Sequence, residues 1–172
     1  LTTLTVHMFV LGIDPGLSTT GYGVVEHTRS GTIAVAAGVI RTDRELPVAA
    51  RLHELYEDLS GVIAEYRPQE GAIEQVFVNQ NLRTATAVAR ASGVAMLAMA
   101  EAGIPVAEYT PSAVKHALAG FGGADKAQVQ QVVALRLGLD LPPGRADAAD
   151  ALAIALCHVQ TSPADRLVER AR

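Results

Sequence analysis

Four carboxylates stand where a folded chain rarely places them. Asp14 ends the apolar run Met-Phe-Val-Leu-Gly-Ile-Asp-Pro-Gly at positions 8–16, and Glu74 interrupts the apolar stretch Ala72-Ile73-Glu74-Gln75-Val76. Asp147 and Asp150 lie three apart in the alanine-rich segment Arg145-Ala146-Asp147-Ala148-Ala149-Asp150-Ala151-Leu152. An unpaired buried carboxylate is costly, so each needs a partner. A spacing of three puts Asp147 and Asp150 on one face of a helix. If the four converge, their common partner is a cation. All the candidate ligands are oxygens, with no Cys or His pair at ligand spacing, which selects a hard metal such as Mg²⁺ or Mn²⁺. Two such ions ~3.5–4 Å apart can activate a water and stabilise the leaving oxygen of a phosphodiester. Each acid also has a plain alternative. A strand-ending Asp serves as a turn former, a first-turn Asp complements the helix dipole, and Glu74 could pair with an arginine.

The elements that must position these acids follow from periodicity and from Gly and Pro. Val10–Asp14, Gly21–Glu26 and Thr32–Ile40 read as three strands with short connections, which implies an antiparallel meander. Pro47 opens a helix with apolar residues at Leu52, Leu55, Tyr56, Leu59 and Ile63, and Pro68 closes it. Gly71–Phe77 reads as a fourth strand, parallel to the first because a helix connects them. Asn81–Ala102 is a long helix rich in small residues, followed by a fifth strand at Ile104–Tyr109. Helices are expected at Ser112–Leu118, Lys126–Leu137 and Ala146–Gln160, with loops at 120–123 and 141–144. Strands followed by alternating helices and strands describe an α/β fold on a mixed sheet. Asp14 and Glu74 would then lie near the carboxyl ends of neighbouring strands, where open α/β sheets hold ligands.

Composition narrows the class. The 172 residues are 49% hydrophobic, which fits one folded domain rather than a disordered chain. No apolar run is long enough to span a bilayer. Residues 1–7 have no signal-peptide pattern and read as an extension ahead of a native start at Met8, with residues 8–172 as a single domain. Cys157 is the only cysteine, which excludes a disulfide framework and suits a reducing, cytoplasmic setting. The net charge of −4 does not exclude a nucleic acid, because local clustering sets the field a ligand feels. Of 14 basic residues only Lys115 and Lys126 are lysines.

The motifs Gly-Ile-Asp-Pro-Gly (12–16) with Thr-Gly-Tyr-Gly-Val (20–24), Ile-Glu-Gln-Val-Phe (73–77) and Ala-Asp-Ala-Ala-Asp-Ala-Leu-Ala-Ile-Ala (146–155), in this order and spacing, closely resemble the RuvC-type Holliday junction resolvases. The resemblance runs from about Val10 to His158. It implies an RNase H-like fold with a five-stranded mixed sheet flanked by helices. It also implies a homodimer that nicks two opposed strands of a four-way DNA junction during recombination and repair, alongside the RuvA–RuvB branch-migration machinery. The family's metal-binding acids carry over onto Asp14, Glu74, Asp147 and Asp150, with two Mg²⁺ per site and Mn²⁺ able to substitute.

Further residues take roles from that resemblance. Phe77 resembles the aromatic that inserts among bases at the junction centre, since a ring stacks on any base; the alternative is a core phenylalanine ending a strand. Lys115 and Lys126 match lysines that bind backbone phosphate. Ser18 and Thr19, with Thr20, suit a phosphate contact, though turn chemistry alone explains them. Residues 78–82 lack the basic residue that members often carry there, and Arg83 is either its replacement or a solvated helix residue. The resemblance also puts the helix 81–102 at the dimer interface. Two rival classes share parts of the pattern: actin-like ATPases and sugar kinases, which begin with a similar strand-Asp-loop, and non-catalytic or RNA-processing relatives of the same fold.

Overall fold

The computed structural model describes residues 7–77, 81–140 and 146–162. Three strands come first: β1 (Met8–Asp14), β2 (Thr19–Thr28) and β3 (Gly31–Arg41). Then come α1 (Val48–Tyr66), β4 (Glu70–Glu74), α2 (Leu82–Glu101) and β5 (Val106–Tyr109), followed by α3 (Pro111–Ala119), α4 (Lys126–Leu137) and α5 (Ala146–Thr161). The five strands form one mixed sheet in the order β3-β2-β1-β4-β5. The first three are an antiparallel meander, and β1, β4 and β5 run parallel. The meander and the parallel β1–β4 pair are those expected from the sequence. The expected extension 1–7, apart from His7, the expected loop 141–144 and most of the neutral segment 78–82 lie outside the described residues.

The period of two in each strand sends side chains to two cores. Leu11, Ile13 and Ile73 meet Leu55, Leu59 and Ile63 of α1 and Ala91, Ala95 and Met99 of α2. On the other face Val10, Val25 and Ala72 meet α5, behind which α3 and α4 pack through Val114, Leu118, Val129 and Val133. Glycine C-caps in the left-handed region end α3 at Gly120 and α4 at Gly138. A capping box at Asp125 and Gln128 starts α4.

Several element boundaries differ from expectation: β1 and β2 each begin two residues earlier, β4 ends three residues earlier and β5 begins two residues later, and the end of β4 matters. β4 stops at Glu74, which pairs with Tyr109, the last residue of β5. The Gln75 amide still donates to the Tyr109 carbonyl at 2.8 Å, and beyond it the sheet offers no further neighbour. Phe77 therefore lies past the strand and is 54% exposed, which removes the reading of a core phenylalanine. β5 begins at Val106 rather than Ile104, because the Ile104 amide is spent on the Met99 carbonyl at the end of α2 and Pro105 has no N–H.

α5 lies against the sheet almost backbone to backbone. A Cβ at Gly12 would stand 2.2 Å from the Ala151 carbonyl oxygen, and one at Gly21 would stand 2.1 Å from that of Asp147. Alanines on the helix and glycines on the strands make this approach possible. The far end of α5 is tied down by polar groups. Buried His158 joins Glu70 through Nε2, and its Nδ1 lies 2.9 Å from the Tyr109 hydroxyl. Ser162 Oγ also donates to Glu70, at 3.2 Å.

Glu70 and Glu74 bracket β4, so the His158–Glu70 pair fixes the strand that carries Glu74 to the helix that carries Asp150. Truncating one partner of such a pair strands the other without a counterpart. His158→Ala is expected to lower unfolding free energy by about 2–4 kcal/mol, and Tyr109→Phe by about 1 kcal/mol. Urea unfolding checks both, and equal losses would show that the histidine pair has no special weight.

Candidate active site

Three elements bring the acids to one edge of the sheet. Asp14 is the last residue of β1 and faces α5 beside Gly21, its cross-strand neighbour. Asp147 and Asp150 stand on the first turns of α5. One carboxylate oxygen from each of Asp14, Asp147 and Asp150 lies within 4.8 Å of the others. Glu74, at the end of β4, is outside that tight group. It lines with Asp14 and Asp150 a cavity of about 330 Å³, whose wall also includes Lys115 and Lys126.

The electrostatics show what this arrangement lacks. Burial, then the negative charges of Glu74, Asp150 and Asp147, push the Asp14 carboxyl up to about 7, and Lys126 only partly offsets them. Glu74 is raised as well, by burial and then by Asp150, against the pull of Lys126 and Lys115. Lys126 Nζ sits 2.5 Å from Asp150 Oδ2 and is itself raised, first by that hydrogen bond. Crowded oxygens that repel one another and hold an ammonium beside them form a donor set for a hard divalent cation. Among the described residues no other group of this kind occurs.

A second cavity, of about 300 Å³, shares Asp14 and Glu74 with the first and runs out along Pro15, Gln75, Phe77, Asn81, Thr84 and Val88. It is a groove with acids at one end and an exposed aromatic ring beyond them.

Comparison with known proteins now decides the family. The family profile described as "Crossover junction endodeoxyribonuclease RuvC" matches residues 10–158. The chain belongs to the RuvC family. Its relative from Chloroflexus aggregans is 50% identical over 156 residues, covering 91% of this chain and 95% of that one. The Thermus thermophilus RuvC structure superposes with a TM-score of 0.82 at 35% identity, covering 94% of this chain and 98% of that one. The T. thermophilus RuvC structure in complex with Holliday junction substrate gives 0.85 at 36% identity, covering 92% and 97%. The fold is the RNase H-like fold expected from the motifs. Family membership also sets aside the kinase-like and RNA-processing rivals. No helix among the described residues is long and apolar enough to cross a membrane.

The remaining residues singled out in the sequence fall around the same edge. Lys115 reaches the first cavity from α3, and Lys126 reaches it from the start of α4. Arg83 is exposed in the first turn of α2, whose Asn81 and Thr84 line the groove beside Phe77. Thr19 opens β2 opposite Arg41. Thr20 is absorbed by the turn, its hydroxyl donating to the Gly16 carbonyl at 2.6 Å. Ser18 already accepts a hydrogen bond from Arg51 Nη2 at 2.8 Å. That arginine went unnoticed in the sequence, where it is one more polar residue on an amphipathic helix.

The raised Asp14 carboxyl predicts how metal-free stability depends on pH. The folded chain keeps a proton that the unfolded chain releases, so Asp14 erodes stability as pH rises from 3.8 to about 7. Asp14→Asn, which stays neutral, is expected to melt higher than wild type in EDTA at pH 8. The gain should shrink to nothing near pH 4. Differential scanning fluorimetry across that range checks it, and a variant that melts lower at pH 8 would contradict it.

Proposed function

We propose that this chain resolves four-way DNA junctions, nicking two opposed strands symmetrically at the edge where Asp14, Glu74, Asp147 and Asp150 meet. The observation that supports this reading is that, in a RuvC-family chain, Asp14 meets Asp147 and Asp150 from a distant helix while Asp14, Asp150 and Glu74 line one cavity with two lysines. We assign all four acids to two Mg²⁺ ions per site, with Mn²⁺ able to substitute. Asp14, Asp147 and Asp150 would supply the close oxygen set, and Glu74, on the cavity wall, would add a further carboxylate ligand. Such ions, when bound, polarise a phosphoryl oxygen and lower the pKa of water.

The chain's own residues bind and orient the strand. Lys126, beside Asp150, and Lys115 hold backbone phosphate and offset charge at the scissile group. Phe77 stacks on a base unpaired at the junction centre and keeps the strand seated in the groove. Ser18, Thr19 and Arg83 contact phosphates on either side. Two copies of the chain act together, joined through α2, whose outer surface exposes Leu82 and Leu97. A two-fold dimer suits a substrate that is itself nearly two-fold. The RuvA–RuvB machinery supplies the junction in the cytoplasm. There Cys157 stays an inert thiol, buried and pushed up to about 11.

Asp150→Asn is expected to lower cleavage of a synthetic four-way junction by on the order of 10²-fold or more while leaving junction binding near wild type. Normal nicking by the purified variant would contradict the assignment. Phe77→Ala is expected to fold normally, because the ring is exposed, and to cleave roughly 10-fold more slowly. Linear duplex and RNA–DNA hybrid, run beside the junction, test the substrate class: the junction should be cut and the other two spared.

A further inference from the structure

The loop that follows Asp14 is fastened by a cation that has no anion partner among the described residues. Arg51, in the first turns of α1, donates from Nε to Thr42 Oγ1 at 3.0 Å and from Nη2 to Ser18 Oγ at 2.8 Å. Buried Thr42 gives its own hydroxyl hydrogen to the Leu17 carbonyl at 2.6 Å, so its oxygen is free to accept from the arginine. Ser18 accepts in the same way and keeps its hydroxyl hydrogen for an outward acceptor. Among the described residues no carboxylate lies within ion-pair distance of this guanidinium. The nearby acids are engaged elsewhere. Asp43 Oδ1 accepts from the Glu45 amide at 2.9 Å, and Glu54 Oε2 accepts from the Asp43 amide at 3.1 Å. A part-buried guanidinium that donates to only two neutral oxygens has N–H groups left to donate.

Topology sets this cation beside the acids. β3 runs parallel to β1, so its last residue, Arg41, paired with Thr19, lies at the edge where β1 ends in Asp14. Asp14 pairs with Gly21, and the Thr19–Arg41 pair lies two residues further along, so Ser18 and Thr42 stand one or two strands across and about three residues beyond Asp14, roughly 10–15 Å away. With about 3.4 Å of rise per nucleotide, that is the reach to a phosphate about three to five nucleotides away. A guanidinium offers parallel N–H donors that match phosphate oxygens, and Thr42 and Ser18 hold this one in a fixed orientation.

We propose that Arg51 and Ser18 form a seat for a backbone phosphate of the bound strand a few nucleotides from the one that is cut. This rests on the junction-cleaving reading of the acidic edge. Arg51 supplies the charge, Ser18 a neutral donor, and Thr42 fixes the geometry.

The test measures junction affinity in EDTA across 50–250 mM salt, a range chosen about physiological strength. It uses wild type, Arg51→Gln, Arg51→Lys and Ser18→Ala. Each neutralised phosphate contributes about 0.7–0.9 to the slope of log affinity against log salt. Arg51→Gln is expected to lose that amount per bound protomer and to bind on the order of 10-fold more weakly at the low-salt end. Arg51→Lys should keep the slope, and Ser18→Ala should weaken binding a few-fold without changing it. Should the glutamine variant fail to fold by circular dichroism, a lysine variant that folds but loses the slope would overturn the seat. A glutamine variant with the wild-type slope also overturns it, even if cleavage slows, since Arg51 would then only brace the loop. Wild-type protein that neither binds nor cuts the junction overturns the functional reading as well. Wild-type protein that does both, beside an unchanged glutamine variant, overturns the seat alone.

Discussion

The active edge exists because α5 can touch the sheet with its backbone. Asp147 and Asp150 belong to a helix far along the chain from Asp14, and their oxygens meet where that helix settles with its backbone against the strands. Gly21 stands under the Asp147 carbonyl and Gly12 under that of Ala151, each too close to admit a methyl group. The glycines and the alanines read as one constraint shared between two distant segments. Without it the acids would still fold, but onto surfaces facing water rather than one another.

Charge supplies the opposing force. Close docking buries and crowds these carboxylates, and the raised Asp14 and Glu74 carboxyls register burial first and then the repulsion. The fold offsets it with packing on both sheet faces, and with the His158–Glu70 tie at the opposite end of α5. Lys126 stands in at the acidic end as a placeholder cation on Asp150. A site built this way stores a demand for positive charge, which divalent ions meet better than one flexible ammonium.

Much of this was legible in the chain before any coordinates. The strands and helices announced themselves through period-two and helical spacing bounded by Gly and Pro, and the acids through being misplaced. What escaped depended on long-range neighbours. Phe77 continued an apolar strand pattern, but β5 ends one pair too early to extend the ladder. Glu74 looked equivalent to the three aspartates, yet the end of β4 holds it at the rim of their group. Glu70 and His158 are ordinary residues 88 positions apart, and nothing local marks them as partners. Arg51 reads as a solvated helix residue until Ser18, 33 positions earlier, is seen to lie against it.

Manganese binding by Gly21→Ala beside wild type tests the central claim most directly, using calorimetry with circular dichroism to confirm folding. Lifting α5 off the strand by one methyl should leave a folded protein whose affinity for the ion falls at least about tenfold, a loss of about 1.4 kcal/mol. A folded variant that binds manganese as tightly as wild type would show that backbone docking does not assemble the site.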